Sequence, residues 1–266
     1  MKYIDPHIHL VSRTTDDYQR IALAGCRAVS EPAFWAGYDR SSPQGFYDYF
    51  RHLTEYEPKR AAQYGIKHHC WVCINSKEAE DAVLAREVIK LLPEFLDQPT
   101  CLGIGEIGLN KNSKTELEIF EAQAQLAIER KQLILCHTPH LEDKLKGTRL
   151  MIGALKNLGA DPGRVLIDHV EEHTVQMVID GGFHAAMTLY PHSKCSPARA
   201  ADILEVYGGE RLGINSACDW GVSEALAVPL CAHELRMRGH GEDFIEKVVW
   251  GNPKAFFGKS GKFRTE

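Results

Sequence analysis

Short β-type segments and helix-like segments alternate along almost the whole 266-residue chain. The segments between the predicted strands carry apolar residues at three- and four-residue spacing, which is typical of amphipathic helices. Strands separated by helices pair in parallel through right-handed crossovers. Eight such repeats in a chain of this length predict an α/β fold, the (β/α)8 TIM barrel. The predicted strands are residues 2–10, 25–32, 66–75, 101–109, 132–139, 164–170, 183–191 and 211–220.

A doubly wound open sheet is the competing α/β architecture. No GxGxxG or P-loop follows an early strand, and the nearest sequence, GIGEIG at 103–108, lies within a predicted strand. The 44% hydrophobic content supplies a full core, so we expect one domain covering residues 1–266. The clearest helical segments are residues 78–96, 115–131, 142–159, 197–208, 223–239 and 242–258.

Charge and cysteine content exclude several classes of protein. A formal net charge of −5 disfavours a nonspecific nucleic-acid binder, although a local basic groove stays open. No signal peptide precedes the first predicted strand, and no apolar stretch reaches the ~20 residues of a membrane span. We therefore expect a cytoplasmic protein with reduced cysteines. Cys70 and Cys73 form a CxxC inside a strand, with no second pair, which argues against a zinc knuckle.

Metal-type side chains occupy the C-terminal ends of five predicted strands, where TIM barrels carry their functional groups. The first strand contributes two histidines at spacing two, which alternation places on one face. Four imidazoles and two carboxylates suit Zn²⁺, Mn²⁺, Fe²⁺ or Ni²⁺ better than Ca²⁺ or Mg²⁺. The set exceeds one tetrahedral shell, so we predict two divalent ions. The predicted ligands are His7, His9, Glu106, His137, His169 and Asp219.

Order around the barrel suggests how the ligands divide. Glu106 lies between the two groups and is the natural bridge, with His137 and His169 on one ion. His7, His9 and Asp219 are assigned with Glu106 to the other ion. Glu106 and Asp219 are therefore the predicted catalytic residues, and we expect Asp219 to accept a proton from water and return it to the leaving group.

Residues near these strand ends are candidates for substrate binding and for ligand orientation. Asp5 lies two residues before His7, so it shares that strand face and is expected to orient a ligand imidazole. Asp168 precedes His169 and on a strand would point the other way, so both a role in orienting a ligand and a plain packing contact stay open for it. The candidate substrate-binding residues are His140, His192, Trp35 and Trp220.

These motifs together resemble the TatD-like branch of the amidohydrolase superfamily: HxH on the first strand, GEIGL on the fourth, a His on the fifth and on the sixth, and a late Asp. The C-terminal VVWGNPKAFFG is also similar to the closing helix of that family. The resemblance implies a (β/α)8 barrel, a divalent metal centre and hydrolysis of an ester, phosphodiester or amide bond.

The chain departs from TatD nucleases at positions that face the substrate. Asn110 follows GEIGL where those nucleases usually carry Asp, the fifth strand ends in HTPH, and Ala217 and Cys218 precede the late Asp. Two substrate classes therefore stay open, phosphodiesters including nucleic acid, and small amides, lactones or phosphate esters. A mononuclear isomerase or decarboxylase and a non-catalytic barrel are the alternative functions.

Overall fold

The strands form one parallel sheet in chain order. The computed structural model describes residues 1–140 and 142–266. Each strand pairs in parallel with the next from β1 to β8, which confirms the predicted (β/α)8 barrel. The strands are β1 (Tyr3–Asp5), β2 (Cys26–Pro32), β3 (Lys67–Val72), β4 (Cys101–Gly108), β5 (Leu133–His137), β6 (Val165–Asp168), β7 (His184–Thr188) and β8 (Leu212–Asn215).

Helices separate the strands and cover the outside of the barrel. Their bounds in the described residues are α1 (Thr15–Leu23), α2 (Pro43–Arg51), α3 (Glu57–Ala62), α4 (Ala82–Leu96), α5 (Lys114–Glu129), α6 (Lys144–Asn157), α7 (Val175–Asp180), α8 (Pro197–Tyr207), α9 (Ala227–Met237), α10 (Glu242–Glu246) and α11 (Asn252–Gly258). A π-helical turn joins α2 to α3, and a second joins α10 to α11. None of the helices in the described part of the chain is both long enough and apolar enough to cross a membrane.

The barrel closes between the segments that follow β1 and β8. The backbone N–H of Ala217 donates to the carbonyl of His7 at 2.7 Å, and that of His9 donates to Cys218 at 2.9 Å. These bonds place the two predicted ligands after β1 beside the segment that carries Asp219. Closure therefore gathers the first and last repeats at one mouth of the barrel.

The inside of the barrel below that mouth is apolar. One buried cluster combines strand side chains with three phenylalanines from the C-terminal segment, Phe256, Phe257 and Phe263. Burial of this apolar surface stabilises the barrel and leaves the polar site confined to the opposite end. The strand members are Ile4, Ala28, Trp71, Leu102, Leu133, Leu135, Leu166 and Ala186.

Two strands that contribute to the site are shorter than predicted. β1 ends at Asp5 rather than at residue 10, and β8 ends at Asn215 rather than at residue 220. His7, His9 and Asp219 therefore stand on the segments after the strands, where turns rather than strand alternation set their directions.

Candidate functional site

The two histidines after β1 point at a common position. The Nε2 atoms of His7 and His9 lie 3.0 Å apart, with the rings 83° to one another. Both side chains are buried. The ring of His9 stacks on Phe34 at a centroid distance of 3.6 Å. The pairing expected from the HxH spacing is thus present, although a turn produces it rather than a strand.

Glu106 lies at the centre of the imidazole group. Its Oε2 atom is 3.5 Å from Nε2 of His7, 3.5 Å from Nδ1 of His137 and 3.3 Å from Nε2 of His169. Burial raises the pKa of the Glu106 carboxyl, but the surrounding imidazoles outweigh it and lower that pKa well below its ordinary value. Glu106 is therefore an ionised carboxylate that faces imidazoles on β5 and on the segments after β1 and β6.

Glycines let β4 approach β5 closely at this point. A Cβ added at Gly103 would lie 2.1 Å from the carbonyl oxygen of Leu133, and one at Gly108 would lie 2.1 Å from that of His137. The GIGEIG glycines therefore fix the spacing between the strands that carry Glu106 and His137.

Asp168 orients the ring of His7. Its Oδ2 lies 2.5 Å from His7 Nδ1, and the side-chain amide of Asn215 donates to both Asp168 oxygens at 2.9 Å. Burial opposes ionisation of Asp168, but His169, His7 and Asn215 together lower its pKa. An ionised carboxylate only accepts hydrogen bonds, so His7 Nδ1 carries the proton and its Nε2 offers a lone pair.

Of the two roles left open for Asp168, the structure shows contact with a predicted ligand, and the strand-direction argument against that contact is wrong. β6 ends at Asp168, and His169 adopts a left-handed backbone with φ of 59°, which turns both side chains towards the mouth. His169 Nδ1 lies 2.6 Å from the hydroxyl of Thr188, which donates to Asn215 Oδ1 at 2.8 Å. Strand alternation could not reveal this, because the alternation stops between the two residues.

Asp5 supports the backbone rather than a ring. Its Oδ1 accepts from the backbone N–H groups of His7 and Ser216, each at 3.2 Å. Burial raises the pKa of Asp5 to about 6. The expectation that Asp5 orients an imidazole is therefore wrong, and Asp168 has that role for His7.

The donor set fits a divalent transition metal. His7, Glu106 and His169 offer ligand atoms that all lie within 4.8 Å of one another. Nδ1 of His9 and Nδ1 of His137 are buried and have no hydrogen-bond partner among the described residues. Burial lowers the pKa of His9 well below its ordinary value and that of His169 to about 3, so both are neutral at pH 7. Neutral imidazoles and a carboxylate are the ligands such metals prefer.

Asp219 lies at the rim, four residues beyond β8. Its Oδ1 accepts from the hydroxyl of Tyr190 at 2.8 Å and from the backbone N–H of Gly221 at 2.7 Å. Its Oδ2 has no hydrogen-bond partner in the described part of the chain, and the residue lines the cavity over the site. One carboxylate oxygen is thus fixed while the other stays open.

A cavity of about 220 Å³ opens above these groups. Three of the four predicted substrate-binding residues line it, namely Trp35, His140 and Trp220. His192 is exposed and is not among the lining residues. The ring of Trp220 stacks on Phe34 at a centroid distance of 4.8 Å, so the stack on His9 extends to the rim.

Lys194 also lines the cavity, and sequence reasoning missed it. It stands on the segment after β7, with Nζ 4.8 Å from the ring centroid of Tyr190. Burial lowers the pKa of its amino group, and the carboxylates of Glu106, Asp168 and Asp219 oppose that shift. The position of Lys194 just after a predicted strand was the available signal. On that segment, however, only His192 was a candidate for substrate binding.

Comparison with known proteins shows relatives along nearly the full chain. No family model matches it. An uncharacterised metal-dependent hydrolase of Methanocaldococcus jannaschii is 28% identical over 254 residues, which cover 96% of this chain and 99% of that protein. The crystal structure of a TatD-like protein from Archaeoglobus fulgidus is 27% identical, with a TM-score of 0.78 over 96% of this chain and 99% of that one.

The resemblance to the TatD-like metal-dependent hydrolases is confirmed. The same relatives confirm the enzyme class predicted from the sequence, a metal-dependent hydrolase. A phosphotriesterase homology protein from Escherichia coli, solved with phosphate in its active site, has a TM-score of 0.68 at 16% identity and covers 96% of this chain and 98% of that one. At that identity the likeness shows the shared fold alone.

Proposed function

We propose that this TatD-like chain is a hydrolase that holds two divalent cations at the barrel mouth and cleaves an ester, phosphodiester or amide bond. The observation that carries the proposal is the position of Glu106 Oε2, within 3.3–3.5 Å of imidazole nitrogens on β5 and on the segments that follow β1 and β6. Glu106 would be shared by the two ions, a role that its place among imidazoles from different parts of the barrel supports.

The proposed ligands fall into two sets, one for each ion, that share Glu106. His7 and His9 would hold one ion with Glu106, and His137 and His169 would hold the other with the same carboxylate. We keep Asp219 as a ligand of the first ion. When bound, a divalent cation lowers the pKa of water from ~15.7 towards ~7, and Zn²⁺, Mn²⁺, Fe²⁺ and Ni²⁺ all suit this donor set.

Asp219 is the proposed proton acceptor. Its Oδ1 is held by Tyr190 and Gly221, which leaves Oδ2 to take a proton from the attacking water. The water oxygen forms the new bond to the carbonyl carbon or phosphorus as the bond to the leaving atom breaks. Asp219 then returns its proton to that leaving atom, which completes the proton balance.

The substrate is proposed to be a small molecule or a phosphodiester, with small substrates favoured over nucleic acid. The cavity of about 220 Å³ is smaller than the ~300–1,000 Å³ of pockets that enclose drug-sized ligands. We also propose a cytoplasmic location, which agrees with all eight cysteines being free and buried.

A metal-reconstituted activity screen tests this function. The parent and Asp219→Asn are compared on phosphodiesters, lactones, amides and DNA, after their metal content is matched. We expect the variant to lose about 10²- to 10⁴-fold in turnover on each substrate that the parent hydrolyses. Equal turnover would remove Asp219 as the base. Failure of the parent on every substrate class would overturn the hydrolytic function and favour a mononuclear isomerase or decarboxylase.

A further inference from the structure

Lys194 is a cation without a partner inside the cavity. Its Nζ has no hydrogen bond and no ion pair among the described residues, and its only close aromatic contact is the ring of Tyr190. Removing an ammonium group from water without a paired acceptor is unfavourable. The residue is only partly exposed, so solvent does not fully replace the missing partner.

Two cations at the mouth, Lys144 and Arg13, are paired, whereas Lys77, which also lines the cavity, is exposed to solvent and lies over the ring of Trp35. Lys144 Nζ donates to Glu171 at 2.9 Å and to the carbonyl of His169 at 3.1 Å. Arg13 pairs with Asp17 at 2.7 Å. Lys194 therefore differs from Lys144 and Arg13 in having no acceptor, and from Lys77 in being partly withdrawn from solvent.

Bound metal ions would sharpen this imbalance. Each added cation near Glu106 increases the positive potential at Lys194, because like charges repel most strongly where water is excluded. An anionic group on the substrate would relieve that repulsion and give the ammonium an acceptor. A neutral ester or lactone would leave it unpaired.

The residues that line the cavity indicate the other chemical features of its ligand. Phe34 and Trp220 form one stacked aromatic surface, and Trp35 lines the cavity beside them. Asn75, His140 and Ser193 add polar groups to the lining. A flat apolar group against the aromatic surface and an anion with several oxygens beside the polar groups would match both features.

We infer that Lys194 binds a non-bridging oxygen of a phosphoryl group, and that the substrate is a small anionic phosphate ester with a flat leaving group. The choice of substrate class rests on the proposed hydrolytic function, whereas the binding role of Lys194 does not. A phosphoryl group is preferred to a carboxylate because it keeps oxygens for Lys194 and the other donors after one oxygen faces the metal centre.

The binding test uses the metal-loaded enzyme and two matched probes, phenylphosphonate and benzoate, in calorimetric titrations. Lys194→Met retains the chain length without the charge, and we expect it to weaken phenylphosphonate binding by about 10- to 100-fold. Lys194→Arg is expected to keep most of the affinity. Lys77→Met is the control for an exposed cation of the same cavity. Lys77 lies 4.4 Å above Trp35 in contact with solvent, so its loss should weaken binding by only about 2- to 5-fold.

Unchanged phenylphosphonate affinity in Lys194→Met, with metal content and thermal stability intact, would overturn the inference. Tighter binding of benzoate than of phenylphosphonate, lost in the same variant, would overturn the phosphoryl assignment. If Lys194→Met fails to fold, Lys194→Gln replaces it in the same titration, and an affinity for phenylphosphonate equal to that of the parent would overturn the inference.

A kinetic test separates this inference from the proposed function. Phenyl phosphate and phenyl acetate share a leaving group and differ in charge. Lys194→Met should lower kcat/KM for phenyl phosphate by about 10- to 100-fold and leave that for phenyl acetate within a few-fold. Equal losses on both would contradict a role in anion recognition. If neither ester is hydrolysed by the parent, the proposed function fails while the titrations still decide the role of Lys194.

Discussion

Two groups of buried polar side chains in this protein differ in whether their own members satisfy their hydrogen bonds. The Glu57 cluster, which consists of Tyr18, His52, Glu57 and Arg60, packs outside the strands. Each Glu57 oxygen there has a close donor, the Tyr18 hydroxyl at 2.6 Å and His52 Nε2 at 2.8 Å. Burial raises the pKa of Glu57, but these donors and Arg60 lower it to about 2.

The mouth cluster, which consists of His7, His9, Glu106, His137 and His169, is not completed by its own members. Imidazole nitrogens of His7, His137 and His169 lie 3.3–3.5 Å from Glu106, longer than the usual ~2.7–3.2 Å of an N–H···O bond. Two buried nitrogens of the cluster have no partner among the described residues. The Glu57 cluster thus satisfies itself, whereas the mouth cluster leaves lone pairs for a ligand that the protein does not supply.

The largest effect is expected from Glu106→Gln, which removes the charge on which both groups of imidazoles converge. Hydrolysis should fall by more than the ~10- to 100-fold typical of an outer-shell partner. Added Zn²⁺ or Mn²⁺ should raise the melting temperature of the parent but not of the variant. Turnover assays and thermal melts with and without metal measure both. Equal metal-induced stabilisation of the two proteins would show that Glu106 is not a ligand.

Asp168→Asn should have the next largest effect, because the amide can no longer accept two donors and fix the tautomer of His7. We expect metal affinity to weaken by about 10- to 100-fold. Competition with a chromogenic chelator measures it. Asp97→Asn is the control, since Asp97 is an exposed acid with only a 3.5 Å ion pair to Arg130. A loss no larger than that of the control would remove Asp168 from the metal site.

Metal binding at the mouth cluster should depend on pH, because it competes with protonation of His7. Burial lowers the pKa of His7, but Glu106 and Asp168 outweigh it and raise that pKa in the metal-free protein. In its charged form His7 carries a second proton on Nε2, and metal must displace that proton. Metal affinity should therefore weaken by about tenfold per pH unit as pH falls below the pKa of His7. Titrations in buffers of different ionisation enthalpy count the protons released. Proton uptake on binding, or affinity independent of pH, would contradict this.

Tyr18→Phe should have the smallest effect at the mouth. It deletes one donor to the buried Glu57 carboxylate and should reduce the free energy of unfolding by about 1–3 kcal/mol. Metal affinity should be unchanged, because the Arg60 bonds to the carbonyls of Leu10 and Arg13, which hold the segment after His9, do not involve the Tyr18 hydroxyl. Denaturant unfolding followed by a metal titration tests both statements. A change in metal affinity comparable to that of Asp168→Asn would mean that the two clusters are coupled.

The sequence predicted the parts of the site that follow from the repeat itself. Parallel strands in a βα repeat end at one mouth, so the strand-end rule was enough to bring Glu106, His137 and His169 together. It could not locate Asp168, because that depends on the backbone turn at His169. Lys194 was missed because strand periodicity says nothing of a side chain on the segment after β7.

Metal content per chain tests the central proposal most directly. Elemental analysis of protein loaded with Zn²⁺ or Mn²⁺ and desalted should give close to two ions per chain. The double variant His137→Ala/His169→Ala should retain one ion, held by the proposed ligands of the first ion, His7, His9, Glu106 and Asp219. One ion in the parent that is unaffected by the double variant, or none at all, would contradict a bridged pair centred on Glu106.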